Sequence, residues 1–253
     1  MGHLVLLNQI GVFTVIDLFL SDVAYFKKAK IQKDRKVTWT LTKKSLLLQC
    51  WNHLLIVYPI SIVQIIWVPP TPLPPVAPTL WEFVSQQIIW IFMFDFSYWA
   101  FHVLCHRVRF LYRWCHSVHH MYSSPFAAAA QHLHPFELIY VSVIATVIPW
   151  PFKPHCLTYW CWFLVSQYLS YEVHSGYAFP WAANNFITIY GGAPAHDLHH
   201  MRPMTNFEPW LVYLDKICGY YLSHEKLAEL KGEKGNRFGR YSEEDEAGLE
   251  KIN

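Results

Sequence analysis

The sequence predicts an all-α, polytopic membrane protein with about four transmembrane helices, the last pair a hairpin, and a cytosolic cap of histidine-rich helices. Three observations carry that prediction. Only 15% of the residues are charged and 53% are hydrophobic, whereas a soluble domain carries about 25% charged residues. Several long stretches hold almost no charge. Histidines crowd into short repeated patterns where those stretches end.

Residues 4–20, "LVLLNQIGVFTVIDLFL", follow no positive run and precede no small-residue cleavage site. They read as an anchor, short for a span, rather than a signal peptide. Residues 27–44 hold eight basic residues and one acid, which places that loop in the cytosol by the positive-inside rule. Residues 46–68 contain no Asp, Glu, Lys or Arg and can cross a bilayer, with Pro59 as a kink point. Six prolines within residues 69–78 make a stiff polyproline-like turn on the lumenal side. Residues 80–101 return the chain to the cytosol. Residues 136–150 and 156–171, joined by "PFKPH", form a spanning or re-entrant hairpin. Residues 223–253 read as a hydrophilic tail. With this parity every histidine cluster lies on the cytosolic side.

Several function classes drop out. A net charge of +2 gives no footprint for nucleic acid. The six cysteines form no C-x-x-C pair, so they read as buried thiols and not as a disulfide scaffold or zinc finger. No G-x-G-x-x-G, P-loop or G-x-S-x-G is present. A redox centre here would draw its electrons from another protein.

The histidines carry the chemistry. "HVLCH" spans 102–106, "HSVHH" spans 116–120 and "HDLHH" spans 196–200. At this histidine frequency about 0.05 copies of H-x-x-H-H are expected by chance, and two are present. On a helix, positions i, i+3 and i+4 share a face. His116, His119 and His120 are therefore expected to converge on one point, as are His196, His199 and His200, with His102 and His106 one turn apart on the third span. Eight imidazoles exceed the three or so ligands of a single catalytic zinc and suit a two-metal site. His174 in "EVHSGYAFPW" and His134 in "HLHPFE" are further metal candidates. Pro135 can open a helix there, and Glu137 can bond back to its start. His132 reads as a plain polar residue, and His3, His53, His155 and His224 receive no role. Ligating histidines usually donate their second N–H to a carboxylate or carbonyl. Asp95, seven and eleven positions before His102 and His106, is one supporting acid. Glu172 and Asp197 are others, although Asp197 can equally serve a helix start.

These motifs in this order, around a hydrophobic hairpin, together with "YGGAPAHDLHH" and "TNFEPWLVYLDKICG", resemble the fatty acid hydroxylase/sterol desaturase family of membrane di-iron oxygenases over about residues 80–220. The last two stretches resemble its sterol 25-hydroxylase branch, and the His-Pro of "QHLHPFE" resembles its sterol C4-methyl oxidases. The resemblance implies an endoplasmic-reticulum enzyme that uses two irons and O2 to hydroxylate a sterol C–H bond. Electrons would come from NADPH or NADH through a partner such as cytochrome b5 or a reductase. It implies membrane anchor helices and a basic loop over 1–79, a di-metal hydroxylase domain over 80–222, and the tail. His102, His106, His116, His119, His120, His174, His196, His199 and His200 would be ligands, and His134 only under the C4-methyl oxidase reading. Fatty acyl or sphingolipid hydroxylation and desaturation stay open within the family. Outside it, a metal-binding scaffold is the alternative. A metal transporter is disfavoured, because its histidines would be strung through the bilayer depth.

Overall fold

The computed structural model describes residues 12–67 and 74–233. Residues 4–11 of the expected anchor, 69–73 of the proline-rich turn and 234–253 of the tail lie outside those residues. The described chain is mostly helical. It contains no strand, only two isolated bridges, Lys30 to Tyr177 and Tyr190 to Leu211.

A short helix α1 (Ala24–Ala29) precedes α2 (Trp39–Asn52), which Thr38 caps by accepting the Leu41 N–H. The helix thus starts inside the basic loop, ahead of the apolar run. It continues through a widened π-turn at His53–Val57 into α3 (Tyr58–Trp67). That wide turn directly precedes Pro59, which has no N–H to donate and crowds the carbonyl four residues back. One side of α2 is polar: Thr42, Ser45, Gln49 and Asn52 are all buried. Gln49 donates to the Ala128 carbonyl at 2.6 Å and Asn52 to the Leu133 carbonyl at 2.9 Å. These bonds satisfy buried backbone carbonyls in and just after the short helical turn Ala127–Gln131.

The long helix α4 (Leu80–Arg107) opens on a capping box between Thr79 and Glu82, worth about 1 kcal/mol. At 1.5 Å per residue, its 28 residues extend about 42 Å, beyond a hydrocarbon core of about 30 Å. His102 and His106 sit in the excess. Then come α5 (Arg109–Trp114) and a 3₁₀ turn at His116–Met121. The expected hairpin is α6 (Pro135–Val147) and α7 (Cys156–Val173), turned by Trp150–Phe152 and by Lys153 in the left-handed region at φ 46°. The remaining helices are α8 (Gly192–Met201), α9 (Tyr213–Cys218) and α10 (His224–Glu233).

Among the described residues three segments, against about four expected, are long and apolar enough to cross a membrane: Trp39–Val63, Leu80–Arg107 and Pro135–Phe152. α7 is the less apolar return arm of the hairpin. Aromatic packing joins these helices. Phe94 stacks on Trp210 with centroids 4.5 Å apart, Trp90 meets Trp162 edge-on at 6.0 Å, and the Trp162 indole donates to the Ala145 carbonyl.

Candidate metal centre

Nine histidines from four parts of the chain meet at the end of α4. His102, His106, His116, His120 and His199 present ring nitrogens that all lie within 4.8 Å of one another, and His119, His174, His196 and His200 form a second such group. All nine are buried. The two groups abut, with the His120 and His200 ring centroids 4.6 Å apart.

The triads do not each converge on one point, as their spacing had led us to expect. Each H-x-x-H-H divides. His116 and His120 join the first group while His119 joins the second. His196 and His200 join the second while His199 joins the first. Along α8 the cause is angular: at 100° per residue, positions i and i+4 differ by about 40°, whereas i+3 lies about 60° to the other side. One helix therefore serves two neighbouring points. The earlier triad does the same from a 3₁₀ turn.

The outward nitrogens show how the rings are held. The Nδ1–H of His102 donates to the Phe207 carbonyl (2.6 Å), that of His199 to Thr205 (2.6 Å), that of His174 to Ser170 (2.8 Å) and that of His200 to Tyr122 (3.0 Å). His116 Nδ1 donates to Glu137 Oε1 at 2.9 Å, where Tyr98 also donates. Each of these five rings must then turn a bare Nε2 lone pair inward. His116 Nε2 is buried with no protein partner. Neighbouring Nε2 atoms lie 2.9–3.2 Å apart, in His102–His106, His120–His199, His119–His174, His174–His196 and His196–His200. Two ligands on one ion, each at about 2.1 Å, stand roughly 3 Å apart. The donor set fits imidazole-bound transition metal.

Burial, then the neighbouring imidazoles, holds His119, His120 and His196 well below the usual imidazole range. Burial, first, does the same for His199 and His200 and brings His174 down to about 4. All are neutral at pH 7, the form that binds metal.

Four other expected site residues lie elsewhere. His134 joins neither group. It caps α6, its Nδ1 accepting the Phe136 N–H at 3.2 Å, and its ring rests on Trp114. The Pro135 that follows opens the helix and turns that side chain toward its own backbone. Asp95 bonds to backbone instead; its Oδ1 accepts the N–H groups of Trp210 and Leu211 at 3.1 and 3.0 Å. It thereby fixes the segment whose Phe207 carbonyl holds His102. Glu172 accepts the Tyr190 hydroxyl at 2.6 Å. Asp197 lies within α8, not at its start, and accepts from Gln32 at 3.0 Å. Burial pushes Asp197 up to about 7, with Gln32 opposing. The acid that supports a clustered histidine is Glu137, which the sequence offered only as a helix-start residue. Its signal was a carboxylate two residues inside an apolar helix that directly follows His-Pro.

The fatty acid hydroxylase family model matches residues 87–220. A cholesterol 25-hydroxylase-like protein of Caenorhabditis briggsae is 60% identical over 244 residues, 96% of this chain and 81% of the relative. Cholesterol 25-hydroxylase-like protein 2 of Danio rerio is 40% identical over 209 residues, 82% of this chain and 75% of the relative. The cholesterol 25-hydroxylase of Mus musculus is 34% identical over 210 residues, 82% of this chain and 70% of the relative. No solved structure matches.

Proposed function

Because the chain belongs to the fatty acid hydroxylase family, we propose that it is a membrane monooxygenase that hydroxylates a sterol in the manner of a cholesterol 25-hydroxylase. In this reading residues 80–222 are the catalytic domain, 1–79 its membrane anchor and 223–253 a tail. His102, His106, His116, His120 and His199 would hold one iron, and His119, His174, His196 and His200 the other. Bound there, the iron pair supplies the O2 activation and C–H cleavage that no side chain can perform.

The remaining contributions belong to the chain's own residues. Glu137 and the carbonyls of Tyr122, Ser170, Thr205 and Phe207 fix the tautomer of five imidazoles and aim their Nε2 atoms inward. Burial of all nine rings excludes water and with it side reactions. α4 runs unbroken from the apolar span to His102 and His106, so a substrate dissolved in the bilayer reaches the centre without crossing water. Electrons would arrive from NADPH or NADH through cytochrome b5 or a reductase, since the chain has no dinucleotide fingerprint. The basic run at 27–44 supports a membrane orientation with the histidines on the cytosolic side, and an endoplasmic-reticulum location follows from the family resemblance alone. His134 stands apart from both groups, which supports the 25-hydroxylase reading over C4-methyl oxidation, the alternative within the family.

The observation that carries the proposal is the reciprocal division of two H-x-x-H-H motifs between adjacent buried nitrogen clusters. The test is iron analysis of gently purified protein, then turnover with cholesterol, NADPH, reductase and isotopically labelled O2. Two irons per chain and a sterol heavier by one labelled oxygen are expected. A product lacking two hydrogens would mark a desaturase. Metal-free protein with no oxygenated product would leave a scaffold.

A further inference from the structure

One side of the helix α5 (Arg109–Trp114) meets the metal centre, where the Tyr112 ring lies 5.4 Å from that of His106; its Arg109, Phe110, Arg113 and Trp114 are used by neither the centre nor the core. The helix begins two residues after α4 and so lies at the histidine end of that span. Phe110 and Trp114, one turn apart, stack at 5.8 Å with rings 9° from parallel, yet they are 68% and 45% exposed. Arg109 and Arg113, also one turn apart, are exposed, and neither has an acidic partner among the described residues. The four side chains line an open groove of about 460 Å³.

Two unpaired guanidiniums beside two outward aromatics would be a poor surface in water. At a membrane boundary the same set is favourable. Aromatic rings settle at headgroup depth and arginines reach for phosphate. The depth agrees. Thr79 to Arg109 is about 45 Å at 1.5 Å per residue, so α5 begins where a bilayer of about 40–45 Å, headgroup regions included, comes to an end. Trp114 also touches the ring of Phe136 at the start of α6, the next apolar segment, with centroids 5.1 Å apart. Two spans therefore meet the boundary at this helix.

We propose that α5 is an interfacial seat for an anionic phospholipid. Arg109 and Arg113 bind the headgroup phosphate, and Phe110 and Trp114 lie against the glycerol and upper acyl chain. The seat rests on the membrane span and is independent of the metal reading. It would fix the height of the centre, because Trp114 is two residues from His116.

The test is native mass spectrometry of the purified full chain in mixed micelles containing equal phosphatidylcholine and phosphatidylglycerol. About tenfold preferential retention of phosphatidylglycerol is expected, falling as salt rises. Arg109→Gln with Arg113→Gln should abolish the preference while circular dichroism stays unchanged. Phe110→Ser should lower retention of both lipids. Equal retention by the wild-type chain overturns the proposal without recourse to any variant. Full displacement by inorganic phosphate would also overturn it, because the aromatic half of the seat would then be idle.

Discussion

His116 donates its Nδ1–H to Glu137 across 2.9 Å, and both side chains are completely buried. A carboxylate behind a ligating imidazole fixes its tautomer and raises its basicity. Glu137→Ala is therefore expected to lower metal content or hydroxylation by about 10–100-fold. Glu137→Gln, which keeps an acceptor oxygen, should retain more of both. Unchanged metal analysis and turnover in Glu137→Ala would remove the residue from this role.

His119 and His120 are neighbours in sequence but serve different groups. Replacing either by alanine should leave about one metal equivalent per chain, and each variant should keep a different one. His199→Ala should abolish hydroxylation while the protein remains in the membrane. Elemental analysis beside a spectrum of the retained iron tests the division. Identical residual spectra would contradict it.

His134 serves as a helix cap. His134→Ala should cost about 1 kcal/mol of stability and leave metal content and turnover intact. A metal-depleted variant would return His134 to the ligand set.

Asp95 holds two buried backbone N–H groups. Asp95→Ala strands them at about 1–3 kcal/mol each and frees the Phe207 carbonyl that holds His102. The melting temperature should fall by several degrees, together with metal content. Asp95→Asn preserves the accepting oxygen and should stay close to wild type. Equal loss in the two variants would show that charge, and not the acceptor, is what matters.

Burial holds His132 and His174 down to about 4, against about 6.5 in the unfolded chain. Between those values the unfolded chain takes up protons that the folded chain refuses. Metal-free protein should keep its stability above pH 6.5 and lose it as pH falls toward 4. Melting of chelator-treated protein across that window checks the sign, and a flat profile would contradict it.

What the sequence determined by itself are the properties encoded locally. Apolar runs poor in charge marked the spans Leu80–Arg107 and Pro135–Phe152, because hydropathy sums over neighbours. "PFKPH" marked the hairpin turn, since its prolines interrupt the helix on both sides of Lys153. The repeated histidine spacing singled out eight of the nine rings that gather, and "EVHSGYAFPW" offered the ninth, His174. Tertiary structure alone decided how those rings divide and what stands behind them. Helical periodicity puts His199 within reach of the same face as His196, but its group depends on α4, nearly a hundred residues away. In the same way the partner of His116 is a carboxylate on α6, and Asp95 turns from the histidines to the backbone of Trp210. Such choices depend on which distant donor or acceptor the packed chain brings within 3 Å, and spacing along one segment carries no record of that distance.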